Sequence, residues 1–261
     1  MCGFPSCAGG SFAMTMVPDF VKRIVRLIEA SVTPRTYSVE FQGATITGVN
    51  SLWWSSTPQS IASEIFPCFE PLVDQRDFVS ILDAGAAEGL FSIAACLLFP
   101  KASIYASEPS LRQRILLRRN LMRNGVRHRV SIYKTAFWNS EGLMSFRSHG
   151  PLSRLREASG LPCDLPFSER VRTVTIDQCT AAQNLRELNL IKMDIEGAEI
   201  EALHGAAETL MRLRPRLLIQ AYHIRNDVRT FEPCASFLAA IGYSCREASP
   251  GSGLLYATYD H

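Results

Sequence analysis

The chain has 261 residues, of which 47% are hydrophobic and 20% are charged, and its formal net charge is +2. This size and apolar content suffice for one large hydrophobic core, so we expect a single main domain with a short N-terminal extension. The small net charge does not by itself indicate a nucleic-acid-binding protein. No apolar run reaches the roughly 18 residues typical of a membrane-spanning helix.

The eight cysteines are scattered, with no C-x-x-C pair and no cysteine–histidine cluster of the kind that binds zinc. A domain of this size does not depend on disulfides, so we expect reduced thiols and a cytoplasmic protein. Residues 1–16 lack the basic start and the apolar run of a secretory signal, and they predict a loose tail.

The next segments predict a helix followed by a hairpin. In Val17–Ala30 the apolar side chains recur at helical spacing with basic residues opposite, which is typical of a cap helix; a dimerisation helix or a membrane-surface helix would show the same pattern. Tyr37–Phe41 and Ala44–Val49 predict the hairpin. We therefore divide the chain into an N-terminal region, residues 1–50, and a main domain, residues 51–261.

Strands and helices alternate through the main domain. The predicted strands are Phe78–Leu82, Ser103–Ala106, Val130–Tyr133, Leu143–Phe146, Val171–Ile176, Leu190–Met193, Arg216–Ala221 and Leu254–Thr258. The predicted helices are Leu90–Phe99, Ser110–Asn124, Ala198–Leu213 and Glu232–Ile241. Such alternation indicates an α/β fold with a mainly parallel sheet, whose ligands bind outside the carboxyl ends of the strands.

The loop after the first of these strands predicts a cofactor site. Its sequence is Asp83-Ala84-Gly85-Ala86-Ala87-Glu88-Gly89, in which the glycines permit a tight turn and close helix packing. Ala87 occupies the position where a dinucleotide fingerprint needs glycine to approach a pyrophosphate. The loop therefore suits a nucleoside cofactor that lacks a pyrophosphate.

The next strand ends in a second candidate for cofactor binding. Glu108 follows Tyr105-Ala106-Ser107 and lies 19 residues beyond Gly89. An acidic side chain at this distance can accept hydrogen bonds from both ribose hydroxyls. Taken alone, Asp83 could simply cap a loop and Glu108 could be a solvated turn residue. Their positions at two neighbouring strand ends favour a cofactor site.

Four segments in order resemble the FkbM family of methyltransferases over about residues 60–225. They are Asp83-x-Gly85-Ala86-x-x-Gly89, Glu108-Pro109, Asn120, and Lys192-Met193-Asp194-Ile195-Glu196-Gly197-Ala198-Glu199. The resemblance implies S-adenosylmethionine as the cofactor. It also implies the Rossmann-like class I methyltransferase fold, a seven-stranded, mostly parallel sheet with a reversed final hairpin and helices on both faces.

The same resemblance implies a set of cofactor-binding residues. They are Glu64, Asp83, Gly85, Ala86, Ala87, Gly89, Ser107, Glu108, Pro109, Ser110, Thr135, Ala136 and Asp194. Asp83 and the glycine loop would face the methionine part and Glu108 the ribose. Thr135 and Ala136 would frame the adenine. The family usually has asparagine where this chain has Ala87, which removes one polar side chain near the cofactor.

Asp194, Glu196 and His223 are the candidate catalytic residues, because they follow two strands whose carboxyl ends meet at one edge of the sheet. Methyl transfer to a hydroxyl benefits from a base, and Asp194 is the first candidate, followed by His223. Glu196 and Glu199 alternatively only cap a helix. The three candidates alternatively bind a divalent metal such as Mg²⁺, which we do not favour because their spacing matches no dedicated ligand motif.

We expect O-methylation of a hydroxyl on a small molecule, sugar or natural product. The arginines within residues 112–129 leave an RNA methyltransferase as an alternative, although a solvent-facing helix explains them better. A catalytically silent cofactor-binding module is a third alternative. The loop Arg147–Arg170 is the candidate acceptor lid. Trp53-Trp54 and Phe137-Trp138 predict packing aromatics, with flat acceptor walls as the alternative.

Overall fold

The computed structural model describes residues 35–50, 63, 65–75, 77–147, 154–155, 168–225 and 227–259. The predicted tail and cap helix, Trp53-Trp54, Glu64 and most of the proposed lid lie outside these residues.

Seven strands form the central sheet. They are β3 (Ser80–Ala84), β4 (Ser103–Ser107), β5 (Val130–Tyr133), β10 (Leu190–Met193), β11 (Arg216–Gln220), β14 (Tyr243–Glu247) and β15 (Leu254–Tyr259). Their spatial order is β14-β15-β11-β10-β3-β4-β5, and β15 runs antiparallel to both of its neighbours while the other pairs are parallel. The order confirms the predicted class I fold with a reversed final hairpin.

Helices cover both faces of this sheet. They are α1 (Leu90–Leu98), α2 (Leu111–Arg123), α3 (Ile176–Ala182), α4 (Glu199–His204), α5 (Ala207–Leu213) and α6 (Phe231–Ala240). One core cluster joins the apolar sides of α1 and α2 to the sheet, and a second joins α4, α5 and α6 to the opposite face. Successive side chains of each central strand therefore point into two different hydrophobic layers. Strands that are buried on both faces are for this reason mostly apolar along their whole length.

The predicted hairpin is present as β1 (Arg35–Phe41) and β2 (Ala44–Asn50), paired in antiparallel register. Asn120 on α2 connects it to the domain: its Oδ1 accepts a hydrogen bond from Val49 N at 2.7 Å, and its Nδ2 donates to Val49 O and to Glu88 O. Apolar side chains of the hairpin also join the core cluster beneath α1. The hairpin thus packs directly against the helix that follows the cofactor loop.

A second, smaller sheet was not anticipated. Its strands are β6 (Ala136–Phe137), β7 (Gly142–Arg147), β8 (Arg154–Leu155) and β9 (Ser168–Val174), in the order β6-β9-β7-β8. Both ends of the predicted lid therefore belong to strands. Phe137 and Trp138 are buried, so they pack in the interior and do not form an acceptor wall.

Most predicted elements differ from the observed ones by one or two residues at an end, and two differ more. The helix Ala198–Leu213 is divided at Gly205, because Asp177 N donates to Gly205 O and the Asp177 carboxylate caps the following helix through the N–H groups of Glu208 and Thr209. The strand that we predicted to end at Ile176 ends at Val174, because Thr175 is the N-cap of α3. In the described part of the chain, no helix has the length and apolar character needed to cross a membrane.

Candidate functional site

The glycine loop lies at the carboxyl end of β3, between β4 and β10. Gly85 adopts a φ of +77°, and a side chain there would place its Cβ 1.9 Å from the backbone oxygen of Asp194. Gly89 has a φ of +89° and begins α1, and a Cβ at this position would collide with Leu117 of α2. Both glycines are therefore required by close approach, as the sequence predicted for Gly89.

Glu108 holds this loop from the neighbouring strand. Its two carboxylate oxygens accept hydrogen bonds from Ala87 N at 2.9 Å and Ser110 N at 2.7 Å. Burial raises the pKa of Glu108 to about 7, although the two N–H groups, Arg114 and Lys192 act in the opposite direction. Ala87 itself has a φ of +45°, a left-handed conformation that asparagine adopts more readily than alanine.

The other predicted cofactor residues that the structure describes lie at or just after the carboxyl ends of β3, β4, β5 and β10, and we call this edge of the sheet the crevice. Ser107 O accepts hydrogen bonds from the N–H groups of Gly85 and Ala86, and Ser107 Oγ donates to Thr135 O at 2.6 Å. Ser110 is the N-cap of α2. The structure thus brings the ends of β3, β4 and β5 together. Glu64 lies outside the described residues.

Asp83 and Lys192 form a buried ion pair beneath the loop. They are register partners on β3 and β10, and Lys192 Nζ lies 3.3 Å from Asp83 Oδ1 and donates to Gly85 O at 3.0 Å. Ser92 Oγ donates to Asp83 Oδ2 at 2.6 Å. Burial lowers the pKa of Lys192, but the carboxylates of Asp83 and Asp194 outweigh it and raise that pKa overall. Lys192 is therefore charged and neutralises Asp83.

The sequence did not lead us to predict a role for Lys192 or Ser92, although the position of Lys192 in its strand was informative. Lys192 stands in an otherwise apolar strand, Leu190–Met193, where a charged side chain is buried and needs an opposite charge nearby. The acidic partner could have been sought at the tip of β3. Ser92 carried no such signal, because a serine in an apolar helix is ordinary.

Asp194 follows β10 and faces the crevice beside the glycine loop. Its backbone N–H donates to Ala84 O at 3.0 Å, which places the residue against the end of β3. Its carboxylate Oδ1 is shielded from solvent and has no hydrogen-bond partner among the described residues. Burial raises the pKa of Asp194 to about 6, against the lowering effect of Lys192. A shielded carboxylate oxygen without a partner among the described residues is unusual, and a catalytic role is one physical explanation for it.

His223 lies between two glutamates. Its Nδ1 is 3.2 Å from Glu199 Oε1, and its Nε2 is 3.4 Å from Glu196 Oε2. Burial lowers the pKa of His223, but these two carboxylates outweigh it and raise the pKa to about 10. In this arrangement the imidazole carries a proton at neutral pH, so it is a poorer general base than the sequence suggested.

Glu199 is fixed on the other side by the loop that precedes α4. Its Oε1 accepts from Gly197 N at 3.1 Å and from Ile195 N at 3.4 Å, and its side chain is fully buried. Glu196 has a φ of +57°, which is uncommon for a residue other than glycine and concentrates at functional sites. Glu199 therefore does more than cap a helix, because it orients His223.

Several arginines of residues 112–129 are occupied by the protein's own backbone. Arg129 donates to the carbonyl oxygens of Cys96, Phe99 and Ala102, Arg114 donates to those of Glu108 and Pro109, and Arg127 donates to that of Val130. These guanidinium groups stabilise the ends of α1 and β4. They are less available to RNA than the sequence pattern indicated.

Comparisons with known proteins show the family and the fold of the chain. A family model described as the methyltransferase FkbM domain matches residues 83–245, which is more than half of the chain. A stretch of 159 residues is 29% identical to the 2-O-methyltransferase NoeI of Sinorhizobium fredii, covering 55% of this chain and 63% of that protein. The crystal structure of a methyltransferase FkbM from Methylobacillus flagellatus superposes with a TM-score of 0.53 at 18% identity, over 74% of this chain and 48% of that one.

The chain thus covers less than two thirds of the length of each of these relatives. The family match nevertheless includes the glycine loop, Glu108 and the segment from Lys192 to Glu199, which the structure assembles around one crevice. The chain belongs to the FkbM methyltransferase family.

Proposed function

We propose that the protein uses S-adenosylmethionine to methylate a hydroxyl group of a small molecule or glycan. The observation that carries this proposal is the Asp194 carboxylate beside the glycine loop, whose shielded Oδ1 has no hydrogen-bond partner within the described ranges. Membership of the FkbM family supports the transfer of a methyl group, and the 29% identity to a 2-O-methyltransferase supports oxygen as the acceptor atom.

The crevice residues fit S-adenosylmethionine. Each oxygen of Glu108 accepts one backbone N–H and has a further lone pair that can accept a hydrogen bond from a ribose hydroxyl, and Gly85 and Ala87 have no large side chain at the turn. When bound, this cofactor supplies a methyl group on a positively charged sulfur. The Asp83–Lys192 pair is internally neutral, so the carboxylate of Asp194 supplies the nearby negative charge that favours a sulfonium.

The chain's own chemical task is to orient the acceptor and to take its proton. A hydroxyl next to the Asp194 carboxylate can pass its proton to a carboxylate oxygen while its own oxygen takes the methyl group and the bond from that carbon to sulfur breaks. His223 lies within 4.8 Å of this carboxylate and is paired with Glu199. This assigns the base to Asp194 and an orienting role to His223.

Titration calorimetry with S-adenosylmethionine, followed by mass spectrometry of products from a panel of sugars, natural-product scaffolds and RNA, tests the proposal. We expect cofactor binding and an added methyl group on a hydroxylated small molecule. Asp194→Asn should lower kcat by roughly 100-fold or more while cofactor affinity changes much less. The exposed carboxylate Glu232, changed to glutamine, is the matched control.

Two outcomes would contradict the proposal. Cofactor binding without any product from the small-molecule acceptors would indicate a silent binding module. Methylation of RNA alone, with steep salt dependence, would favour the arginine-rich helix α2 as the recognition element.

A further inference from the structure

We propose that Asp194, Glu196 and His223 bind one divalent cation, which contacts the acceptor hydroxyl. Each of these residues offers one ligand atom, and the three atoms lie within 4.8 Å of one another. The inference rests on the proposed function for the use of the cation, but the binding site itself depends only on the arrangement of these side chains.

The histidine is held as metal-binding histidines are held. Glu199 Oε1 faces Nδ1 of His223 at 3.2 Å, and two backbone N–H groups fix Glu199 in turn. The backbone of His223 is fixed as well, because its carbonyl oxygen accepts a hydrogen bond from Thr230 N at 2.8 Å. A carboxylate on one imidazole nitrogen orients the ring, and the cation would take the place of the proton that Nε2 carries in its ion pair with Glu196.

The second ligand, Glu196, has an unfavourable backbone conformation. Glu196 adopts a left-handed φ of +57° with Gly197 following at +97°, and its Oε2 lies 3.4 Å from Nε2 of His223. Such a conformation is unfavourable for a residue other than glycine and persists only where the surrounding structure imposes it. Its effect here is to direct the Glu196 carboxylate toward Nε2 of the imidazole.

The third ligand is the Asp194 carboxylate, which comes from the end of the neighbouring strand β10. Asp194 Oδ1 is shielded from solvent and has no hydrogen-bond partner in the described part of the chain. The neighbouring cation, Lys192, is already engaged by Asp83 and by Gly85 O. A cation between Asp194, Glu196 and His223 would supply the partner.

Charge and ligand type define the class of ion. Three carboxyl groups, those of Asp194, Glu196 and Glu199, surround one imidazole, so the site favours a positive ligand. Two carboxylates and one imidazole suit Mn²⁺ or Zn²⁺ better than the all-oxygen preference of Ca²⁺. Three protein ligands leave coordination positions for water and for an acceptor hydroxyl, which the cation would polarise.

The test uses the full chain, treated with a chelator and then titrated with Mn²⁺ alone. Electron paramagnetic resonance should show one bound Mn²⁺ per chain, and pulsed measurements should detect coupling to an imidazole nitrogen. Glu196→Gln and His223→Gln should each weaken binding at least tenfold, and His223→Gln should remove the nitrogen coupling. His204→Gln and Glu232→Gln are controls of the same residue types outside the cluster, and circular dichroism of every variant checks the fold.

Absence of stoichiometric Mn²⁺ binding, or unchanged binding in both cluster variants, would overturn the cation site. Methyl transfer that proceeds at an unchanged rate in the chelator-treated protein would overturn the contact with the acceptor. A protein that binds Mn²⁺ as expected but does not bind S-adenosylmethionine would instead reject the proposed function and leave the cation site supported.

Discussion

Glu108 Oε2 accepts a hydrogen bond of 2.9 Å from the backbone N–H of Ala87, so the carboxylate that follows β4 also holds the loop that follows β3. The same carboxylate is the proposed ligand for the cofactor ribose. Shape of the loop and binding of the cofactor are therefore coupled through one side chain.

Replacing Glu108 by glutamine should weaken S-adenosylmethionine binding by roughly 10–100-fold, because the remaining amide oxygen can accept only one of the two backbone N–H groups, without the charge, and the amide nitrogen faces the other N–H. Calorimetry measures the dissociation constant. Glu141→Gln, an exposed carboxylate paired with Arg172, is the control and should bind normally. Equal affinity of the two variants for S-adenosylmethionine would contradict the proposed contact between Glu108 and the cofactor.

Cofactor binding should depend on pH through the same carboxylate. Burial raises the pKa of Glu108 to about 7, and ribose hydroxyls donate to its ionised form, so affinity should fall as pH decreases below 7. The effect on stability has the opposite direction: the folded cofactor-free protein holds this proton more tightly than the unfolded chain, so its stabilising contribution is complete below about pH 4.5 and is lost as pH rises through 7.

Affinity measured between pH 5.5 and 8.5 checks this expectation. Asp194, whose pKa is about 6, titrates in the same range, so the profile of Glu108→Gln separates the two groups. The Glu108 contribution is the part of the pH dependence that this variant lacks. A variant profile identical to that of the wild type would contradict the assignment.

Ala87→Gly should stabilise the protein by about 1 kcal/mol, because glycine adopts the observed φ of +45° without the steric cost that alanine bears. Ala87→Asn should have a smaller effect in the same direction. The free energy of unfolding in urea is the measurement. Ala86→Gly, at a neighbouring position without a positive φ, should instead be destabilising, and stabilisation of both variants would argue against local strain at Ala87.

Asn120→Ala should destabilise the fold by about 2–4 kcal/mol, because it leaves Val49 N, Val49 O and Glu88 O without their buried partner. Asn124→Ala is the matched control on the same helix, where the corresponding bonds to Thr47 are only partly buried. Urea unfolding compares the two. A smaller loss for Asn120→Ala than for Asn124→Ala would show that the hairpin is not held in this way.

Much of the fold could be predicted from local pattern. The strands Leu190–Met193 and Val130–Tyr133 were predicted with the observed bounds, since each is a short run in which three of the four residues are apolar. Helix α3 was missed although Thr175 and Gln178 form a capping box visible in the sequence. The strand Tyr243–Glu247 was missed because only two of its five residues, Tyr243 and Cys245, are apolar.

The sequence by itself determined the cofactor loop, since the glycine conformations and the carboxylates at strand ends depend on local chain geometry and on the rule that parallel strands present their carboxyl ends together. Only the tertiary structure showed which distant residues contact each other. Asn120 forms hydrogen bonds with the hairpin, Lys192 pairs with Asp83, and Glu199 pairs with His223. These contacts join residues on separate elements, and only their packing sets the distances on which charge, protonation and ligand binding depend.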